Sequence, residues 1–507
     1  MVESQSTSQV STPQAIVIGS GVAGLASAIR LAVQGFEVHV FEKNDYPGGK
    51  LSHFEMNGYQ FDAGPSLFTQ PQYIEALFKL ANEPIEDYFN YRSLPIAFNY
   101  FYEDGTVVNA FTDVSRFAIE IKEKLGEDEN NVLQYLYENG RIYDSIGKVF
   151  VNHSLHKCAT LVKANIIAAF KASKAKYLFK TMHSVNEKRF SNAKTVQFFN
   201  RYATYNGSNP YQAPSMLNLI SHLEHNEGTF FPAGGMISIT NALYKLALNK
   251  GVTFHFGTPV QRVIRHNNEV KGVVANNENH YANVVVSNLD VYFTYKQLLN
   301  DGRKSKKIAK QERSSSALVF YWGIKKNFPE LGLHNILFSN DYKAEFDALF
   351  RMKTCYRDPT VYINITSKCE PGILAPEGKE NWFVMVNAPA NGGQDWEAFK
   401  QQYRQAVIQK VSRILRVDIE PLIEVEEVLD PVLIENRTAS YMGSLYGASS
   451  NSKLAAFLRH PNFTNSIKGL YFVGGSVHPG GGIPLCLQSA KIMTEMVGKD
   501  FSRKKRH

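Results

Sequence analysis

The sequence predicts an α/β protein built around a Rossmann-like parallel sheet. Residues 15–18 form an apolar, partly β-branched run, which is typical of a buried parallel strand. A glycine-rich turn follows, and an Ala/Leu-rich helix then extends to about Gln34. A second apolar strand, residues 37–41, ends directly before Glu42. Strand, glycine turn, helix and second strand together predict one half of a doubly wound nucleotide-binding fold.

The glycine turn carries the fingerprint of a dinucleotide site. Gly19, Gly21 and Gly24 fall on the pattern G-x-G-x-x-G, and Glu42 lies 18 residues beyond the last of them. The first glycine permits a tight turn, the second lets backbone N–H groups approach a pyrophosphate, and the third lets helix and strand pack closely. The helix N-terminus favours the phosphate charge, and Glu42, with Lys43 beside it, is placed near the ribose hydroxyls.

Composition restricts the remaining function classes. Hydrophobic residues make up 44% of the 507 residues and charged residues 20%, as in a folded globular protein. The four cysteines are far apart in the chain, which predicts a reducing compartment without a disulfide framework. No His, Cys and carboxylate residues have the spacing of metal ligands, so we predict no metal. Residues 1–14 lack the basic start of a secretory signal and are predicted to be a disordered N-terminus.

The net charge of +8 is concentrated in one segment. Residues 155–190 contain eight Lys or Arg and one acid, Glu187, with apolar residues between the lysines. This pattern predicts amphipathic helices on an anionic membrane surface, and the alternative is a solvated helical face packed on the core. Because no recognised module accompanies the basic residues, we predict no nucleic-acid partner. The apolar residues 15–33 belong to the glycine-containing unit, and no other window approaches the length of a membrane span.

Further motifs place nucleotide-binding segments at both ends of the chain. Glycine-rich turns occur at residues 47–50 and 58–65, and residues 70–225 are predicted to be largely helical. These are followed by a predicted helix at 236–250 and by predicted strands at 252–256, 260–265, 271–275 and 280–287. The last element is an apolar strand, a glycine loop and a helix from about Ile483 to Val497. The nucleotide-binding domain is therefore predicted to be discontinuous.

Three of these segments resemble one protein family. They are Phe61-Asp-Ala-Gly-Pro65, Arg201-Tyr-Ala-Thr-Tyr-Asn-Gly207 and Val477-His-Pro-Gly-Gly-Gly-Ile-Pro484. Together with the N-terminal fingerprint they resemble the bacterial, phytoene-type carotenoid desaturases, within the larger flavin amine-oxidase-like group. Many desaturases that act on phytoene carry Thr where Val477 stands. A small apolar residue there is more similar to the hydroxycarotenoid 3,4-desaturases.

The resemblance implies FAD as the cofactor and a division of the chain into domains. The implied FAD-binding domain comprises residues 15–85, 232–290 and 466–499, and an α+β substrate-binding domain comprises 291–465. Residues 86–231 would be the helical, membrane-associated and substrate region, and 500–507 a basic tail. Carried over by position, the cofactor-binding residues are Gly19, Gly21, Gly24, Glu42, Lys43, Gly49, Lys50, Asp62, Gly64, Pro65, Val260, Gly475, Ser476, Gly482, Ile483 and Pro484.

The implied activity is desaturation of a long apolar carotenoid by hydride transfer to the flavin, with oxygen or a quinone as electron acceptor. A 1-hydroxycarotenoid 3,4-desaturase is preferred, and a phytoene or diapophytoene desaturase is the second choice. A carotene isomerase or a retinol-saturase-like enzyme shares the same motifs. A prenyl-protein binder of the same fold, as in Rab GDP-dissociation inhibitors, is the non-enzymatic alternative. We expect a cytoplasmic protein associated peripherally with the cell membrane.

Candidates for a catalytic proton acceptor are few. Glu227 and the nearby His225 precede a segment expected to approach the flavin, although both are also explained as loop residues. His478 lies in the C-terminal glycine loop, where the alternative role is to shape that loop by hydrogen bonds. Asp62 is expected to bind backbone amides. Arg201 is expected to bind either a polar substrate end or a buried carboxylate.

Overall fold

A computed structural model describes residues 12–156, 180–452 and 459–504 of the chain. The strands are β1 (Gln14–Ile18), β2 (Glu37–Phe41), β3 (His53–Met56), β4 (Tyr59–Asp62), β5 (Tyr91–Ser93), β6 (Ile96–Phe101), β7 (Val107–Phe111), β8 (Phe230–Pro232), β9 (Thr253–His255), β10 (Val260–His266), β11 (Glu269–Ala275), β12 (Glu278–Tyr281), β13 (Val284–Ser287), β14 (Ser316–Ile324), β15 (His334–Leu337), β16 (Val361–Ile365), β17 (Glu380–Ala388), β18 (Ile423–Leu429) and β19 (Leu470–Phe472). The helices are α1 (Val22–Val33), α2 (Gln72–Ala81), α3 (Val114–Leu125), α4 (Glu129–Ile142), α5 (Lys148–Asn152), α6 (Met182–Arg189), α7 (Ala193–Asn200), α8 (Leu219–His222), α9 (Ile237–Asn249), α10 (Val291–Phe293), α11 (Gly302–Ala309), α12 (Tyr342–Asp347), α13 (Trp396–Leu415), α14 (Pro431–Thr438) and α15 (Ile483–Lys504).

A five-stranded parallel sheet forms the nucleotide-binding part of the fold. Its strand order is β19-β13-β1-β2-β9, with β1 at the centre. Ile16 pairs with His39 of β2 on one side and with Val285 of β13 on the other. Strands from the start, middle and end of the chain therefore meet in one sheet. The carboxyl ends of parallel strands share one edge, so the loops that follow β1, β2, β13 and β19 lie together there.

Helices α1, α2, α9 and α15 pack with this sheet in one hydrophobic cluster. The buried residues of α1 include Ala23, Ala26 and Ala28, whose small side chains allow close contact with neighbouring elements. Leu487 and Met493 of α15 belong to the same cluster, although they lie far from α1 in the sequence. Burial of these apolar faces is the main stabilising contribution that holds the C-terminal helix against the N-terminal unit.

A seven-stranded sheet forms the second layer. Its order is β18-β14-β17-β16-β15-β6-β7, and only the β15–β6 pair is parallel. Alternate residues of β14 point to opposite faces. Leu318, Phe320 and Trp322 pack in a cluster with helix α13, whereas Ala317 and Val319 belong to the cluster on the other face. The second face is the one that forms a wall of the candidate site.

The structure corrects one sequence prediction for residues 70–225. Residues 91–111 contain strands β5, β6 and β7 in a region that was predicted to be largely helical. Strand β6 is held by pairing with β7 and with β15, which is more than 200 residues further along the chain. Aromatic residues favour strands in such a half-buried sheet, and this context overrides the local preference.

The basic segment 155–190 lies mostly outside the described residues, because residues 157–179 are not described. The helical membrane-associated region that the sequence predicts there stays a prediction. Within the described ranges, no helix combines the length and the apolar character needed to cross a membrane.

Candidate active site

The first glycine turn leaves the backbone at the start of α1 accessible. The N-cap residue Gly21 has no side chain to cap the helix, so its first N–H groups are available to an anion. A Cβ at Gly24 would lie 2.0 Å from the Gly19 carbonyl oxygen, so only glycine permits this contact between helix and turn. A Cβ at Gly21 would lie 2.9 Å from Asn288 Nδ2.

Glu42 is buried at the end of β2 and is fixed by the glycine turn. Its Oε2 atom accepts hydrogen bonds from the Ser20 backbone N–H at 2.7 Å and from Ser20 Oγ at 2.9 Å. Its Oε1 atom accepts a hydrogen bond from the Asn44 backbone N–H at 3.0 Å. The sequence analysis missed Ser20, whose position between two fingerprint glycines is the signal that identifies it.

The C-terminal glycine loop meets the first one around Asn288. This residue directly follows β13, and a Cβ on Gly474 would lie 2.7 Å from Asn288 Oδ1. Buried Arg459 donates hydrogen bonds to the carbonyl oxygens of Tyr446 and Gly475, and so fixes the loop from behind. Burial lowers the pKa of Arg459 to about 10. Sequence reasoning missed Asn288 and Arg459; for Asn288, the end of a parallel strand is the available signal.

A single cavity of about 1360 Å³ runs from these loops to the seven-stranded sheet. That volume exceeds the roughly 300–1,000 Å³ of a typical site for one small ligand. Of the predicted cofactor-binding residues, all line the cavity except Gly24 and Asp62. At the sheet the lining is largely apolar and includes Phe98, Ala317, Val319, Ile336, Phe383, Met385 and Leu429. The cavity therefore joins a dinucleotide cradle to a long apolar surface.

Two charged residues among the predicted site residues have structural partners. Lys50 lines the cavity, donates a hydrogen bond to the Leu445 carbonyl oxygen at 2.9 Å, and has its pKa lowered by burial. Asp62 accepts hydrogen bonds from the backbone N–H groups of Met236 and Ile237, at 2.9 Å and 3.1 Å. Burial raises the pKa of Asp62 to about 6. Asp62 thus binds amides at the start of α9, and its side chain does not line the cavity.

Two of the candidate proton acceptors, Glu227 and His478, lie outside the cavity lining. Glu227 accepts hydrogen bonds from the side chains of Gln70 and Gln72, at 3.1 Å and 3.3 Å. His478 is fully buried, and its Nε2 atom contacts the His153 carbonyl oxygen at 2.8 Å. Burial lowers the pKa of His478 to about 4. Their positions do not support a catalytic role, which stays a prediction for both.

Arg201 lines the cavity and is paired with a buried carboxylate. Its Nη2 atom lies 3.3 Å from Glu224 Oε2, and its guanidinium group lies 4.3 Å from the centre of the Phe98 ring. Buried His225 contacts the Tyr202 hydroxyl at 2.9 Å, and burial lowers the pKa of His225. Of the two roles expected for Arg201, the structure shows the carboxylate partner.

Comparison with known proteins identifies the family. The family described as flavin containing amine oxidoreductase matches residues 22–495. The chain belongs to this family. Within it, the chain is 51% identical over 484 residues to a 1-hydroxycarotenoid 3,4-desaturase of Flavobacterium sp. (strain P99-3), covering 96% of this chain and 99% of that protein. It is 31% identical to a 4,4'-diaponeurosporene oxygenase of Staphylococcus haemolyticus (strain JCSC1435), covering 96% and 97% of the two chains. The solved structure of an oxidoreductase from Methanosarcina mazei shares the fold, with a TM-score of 0.64 at 17% identity, covering 96% and 100%.

The cofactor of this flavin oxidoreductase is FAD, and the residues of the cavity fit it. The helices α1 and α15 both begin at the cavity, where their N-termini favour negatively charged groups. A Cβ at Gly49 would lie 3.4 Å from Gly21 Cα, so the two glycine segments lie in van der Waals contact. A backbone-lined cradle of this kind suits a dinucleotide, and the apolar remainder of the cavity is available to a substrate.

Proposed function

We propose that this flavin oxidoreductase is a carotenoid desaturase that forms the C3–C4 double bond of a 1-hydroxycarotenoid. The observation that carries the proposal is the continuous cavity, because it places an apolar channel directly beside the dinucleotide cradle. A long polyene needs such a channel, since it gains free energy from burial and offers few polar contacts. The 51%-identical relative is named for this activity.

The proposed reaction removes one hydride and one proton from neighbouring carbons of the substrate and leaves a C=C bond. FAD, when bound, supplies the hydride acceptor, and oxygen or a quinone is proposed as the final electron acceptor. The chain supplies position and a dry environment. The sheet residues Val319, Phe383 and Met385 hold the polyene and exclude water, which fixes the reacting carbons at one depth of the cavity.

We propose roles for the predicted cofactor-binding residues from their places in the cavity. Gly21 would hold the pyrophosphate with its backbone N–H group. Gly19, whose N–H donates to the Phe41 carbonyl oxygen at 2.8 Å, would provide the tight turn, and Gly24 would support this turn by close packing. Glu42 would bind the adenosine ribose and Val260 the adenine through its backbone. The flavin side would be held by Gly475, Ser476, Gly482, Ile483 and Pro484, with Lys43, Gly49, Lys50, Gly64 and Pro65 completing the lining.

The test is conversion of defined carotenoids by the purified, FAD-loaded protein. An acyclic 1-hydroxycarotenoid is expected to lose two hydrogens at C3–C4, which chromatography and mass spectrometry detect. Phytoene, supplied separately, is expected to remain unchanged. Conversion of phytoene alone would contradict the proposal in favour of a phytoene desaturase. A product that has gained oxygen would instead match the activity named for the 31%-identical relative.

We also propose that the enzyme acts at the cytoplasmic face of the cell membrane as a peripheral protein. The basis is the segment 155–190, with its eight basic residues, one acid and interleaved apolar residues. A carotenoid is dissolved in the bilayer, so an enzyme that lies on the membrane surface can take up its substrate without exposing it to water. The cationic residues would be attracted to anionic headgroups.

A further inference from the structure

A cluster of polar side chains interrupts the apolar wall of the cavity close to Pro65. Ser66, Tyr362 and Arg201 all line the cavity, and Ser66 directly follows the Gly64–Pro65 pair assigned to the cofactor. The Tyr362 ring and the Arg201 guanidinium group both pack near Phe98, at 6.2 Å and 4.3 Å from the centre of its ring. Polar groups in such a dry, apolar cavity are costly unless a partner satisfies them.

The hydrogen-bond directions in this cluster can be assigned. Asn364 Nδ2 donates to the Leu333 carbonyl oxygen at 3.1 Å, which fixes the orientation of the Asn364 amide. The same Nδ2 lies 3.0 Å from His334 Nδ1, so His334 Nδ1 is an acceptor. The Tyr362 hydroxyl lies 2.8 Å from His334 Nδ1 and must donate its hydrogen to it. Burial and the charge of Arg201 lower the pKa of His334 to about 3, which keeps the ring neutral.

This arrangement determines what the cavity offers to a ligand. The Ser66 and Tyr362 hydroxyls lie 2.8 Å apart, and because Tyr362 has used its hydrogen, Ser66 donates to Tyr362. The Ser66 oxygen is therefore left as a hydrogen-bond acceptor at the cavity wall. Arg201 is about 5% exposed, and its Nε atom has no hydrogen-bond partner in the part of the chain that the structure describes. The cluster thus presents one acceptor, the Ser66 oxygen, to a ligand, whereas Arg201 Nε is itself buried and is not reached from the cavity.

A hydroxyl group of a ligand can donate its hydrogen to such an acceptor. Glu224 already balances the charge of Arg201, so the site does not require an anionic ligand. In a 1-hydroxycarotenoid, three bonds separate the hydroxyl oxygen from C3. A group that binds this hydroxyl must therefore lie near the flavin. Ser66 meets this condition, because it follows Pro65, which is proposed to line the cofactor site.

We propose that Ser66 and Tyr362, beside Arg201, form a subsite for the terminal hydroxyl group of the substrate. The subsite rests on the proposed function and deepens it, because it selects a 1-hydroxy end over a hydrocarbon end. A hydrocarbon end would leave the Ser66 oxygen without a donor in a dry cavity, and sites built for a hydroxyl reject analogues without one strongly.

The test compares two substrates of equal length, an acyclic carotene and its 1-hydroxy derivative, on the FAD-loaded enzyme. Tyr362→Phe and Ser66→Ala are expected to lower the kcat/KM ratio of the hydroxylated to the hydrocarbon substrate by at least about tenfold. The matched control is Tyr403→Phe, which removes a hydroxyl from a buried tyrosine in the cluster on the opposite face of the sheet. Its selectivity is expected to equal that of the wild type. A ratio unchanged in both site variants would overturn the subsite.

Binding separates this inference from the proposed function. The dissociation constant of each carotenoid is measured from the change that it causes in the flavin absorbance. Tighter binding of the hydroxylated carotenoid that Tyr362→Phe abolishes would support the subsite even if no C3–C4 desaturation occurs. Equal binding of both carotenoids by the wild-type enzyme would overturn the subsite even if desaturation is observed.

Discussion

At the scale of single residues, close backbone contacts decide what each position of the cradle tolerates. Gly24 packs against Gly19 with no space for a methyl group, and a Cβ at Gly64 would lie 1.9 Å from the Lys50 carbonyl oxygen. Glu42 is fixed by three hydrogen bonds from Ser20 and Asn44. These contacts make the cradle rigid before a ligand binds, which reduces the entropy lost on binding.

We expect Gly24→Ala to weaken FAD binding at least about tenfold and to destabilise the fold by roughly 1–3 kcal/mol, because the new methyl group overlaps the Gly19 carbonyl oxygen. Flavin content after purification and the thermal midpoint measure both effects. The matched control is Gly302→Ala at the start of α11, where an added Cβ has no neighbour within 4 Å. A fully loaded Gly24→Ala protein with an unchanged midpoint would contradict the prediction.

At the scale of elements, buried polar side chains join helices to the strands that form the cavity wall. Glu345 of α12 accepts hydrogen bonds from the Thr360 backbone N–H at 3.0 Å and from the Thr360 hydroxyl at 2.7 Å. Thr360 lines the cavity directly before β16. Asp62 has a comparable role at the start of α9. Each contact fixes the end of an element without taking part in the chemistry.

Burial raises the pKa of Glu345 from 4.5 to about 7. Between these pH values Glu345 loses its proton in the unfolded state before it does so in the folded state. Its stabilising contribution to the free energy of unfolding is therefore present below pH 4.5 and is lost as the pH rises to about 7. Glu345→Gln cannot ionise and keeps a carbonyl acceptor. We therefore expect the difference in free energy of unfolding between the variant and the wild type to increase, in favour of the variant, by roughly 2–3 kcal/mol across this range. Denaturation at a series of pH values measures the difference, and Glu397→Gln, at an exposed glutamate, serves as the control.

At the scale of the whole molecule, the cavity exists only because two sheets from interleaved segments face each other. The five-stranded parallel sheet supplies the loops of the dinucleotide cradle, and the seven-stranded sheet supplies the apolar wall. The residues that line this cavity extend along the chain from Ile18 to Cys486. The proposed membrane segment would supply the substrate to this cavity from the bilayer.

Charge reversal tests the membrane proposal. A variant with four Lys→Glu changes is expected to bind anionic phosphatidylserine vesicles roughly a hundredfold or more weakly, since each basic residue near the surface contributes about 1 kcal/mol. The changed residues are Lys163, Lys171, Lys174 and Lys176. The control makes the same change in net charge on the exposed face of α11 and beside it, at Arg303, Lys306, Lys307 and Lys310. Cosedimentation measures binding, and flavin content confirms the fold. Equal binding by the two variants would refute the role of the segment.

The amino-acid sequence is sufficient to predict the local elements of the nucleotide-binding unit. The glycine fingerprint, the two strands around it and the helix that starts near Ile483 depend on short-range rules of turn geometry and hydrophobic pattern. The sequence also indicated the family and FAD, because the family motifs are contiguous stretches of residues. Strands β6 and β7 were not predicted, since β6 is stabilised by long-range pairing with β15 and β7 pairs with β6.

Which side chains share the cavity depends on how distant elements pack against one another. Ser66, Arg201 and Tyr362 are separated by more than a hundred residues from one another along the chain, and each has an ordinary local environment in the sequence. Glu227 and His478 are titratable residues in or near segments that the sequence places beside the flavin, yet the structure places both outside the cavity lining. Local sequence determines the conformation of the backbone, whereas the packing of distant elements determines which polar groups remain unpaired inside the protein.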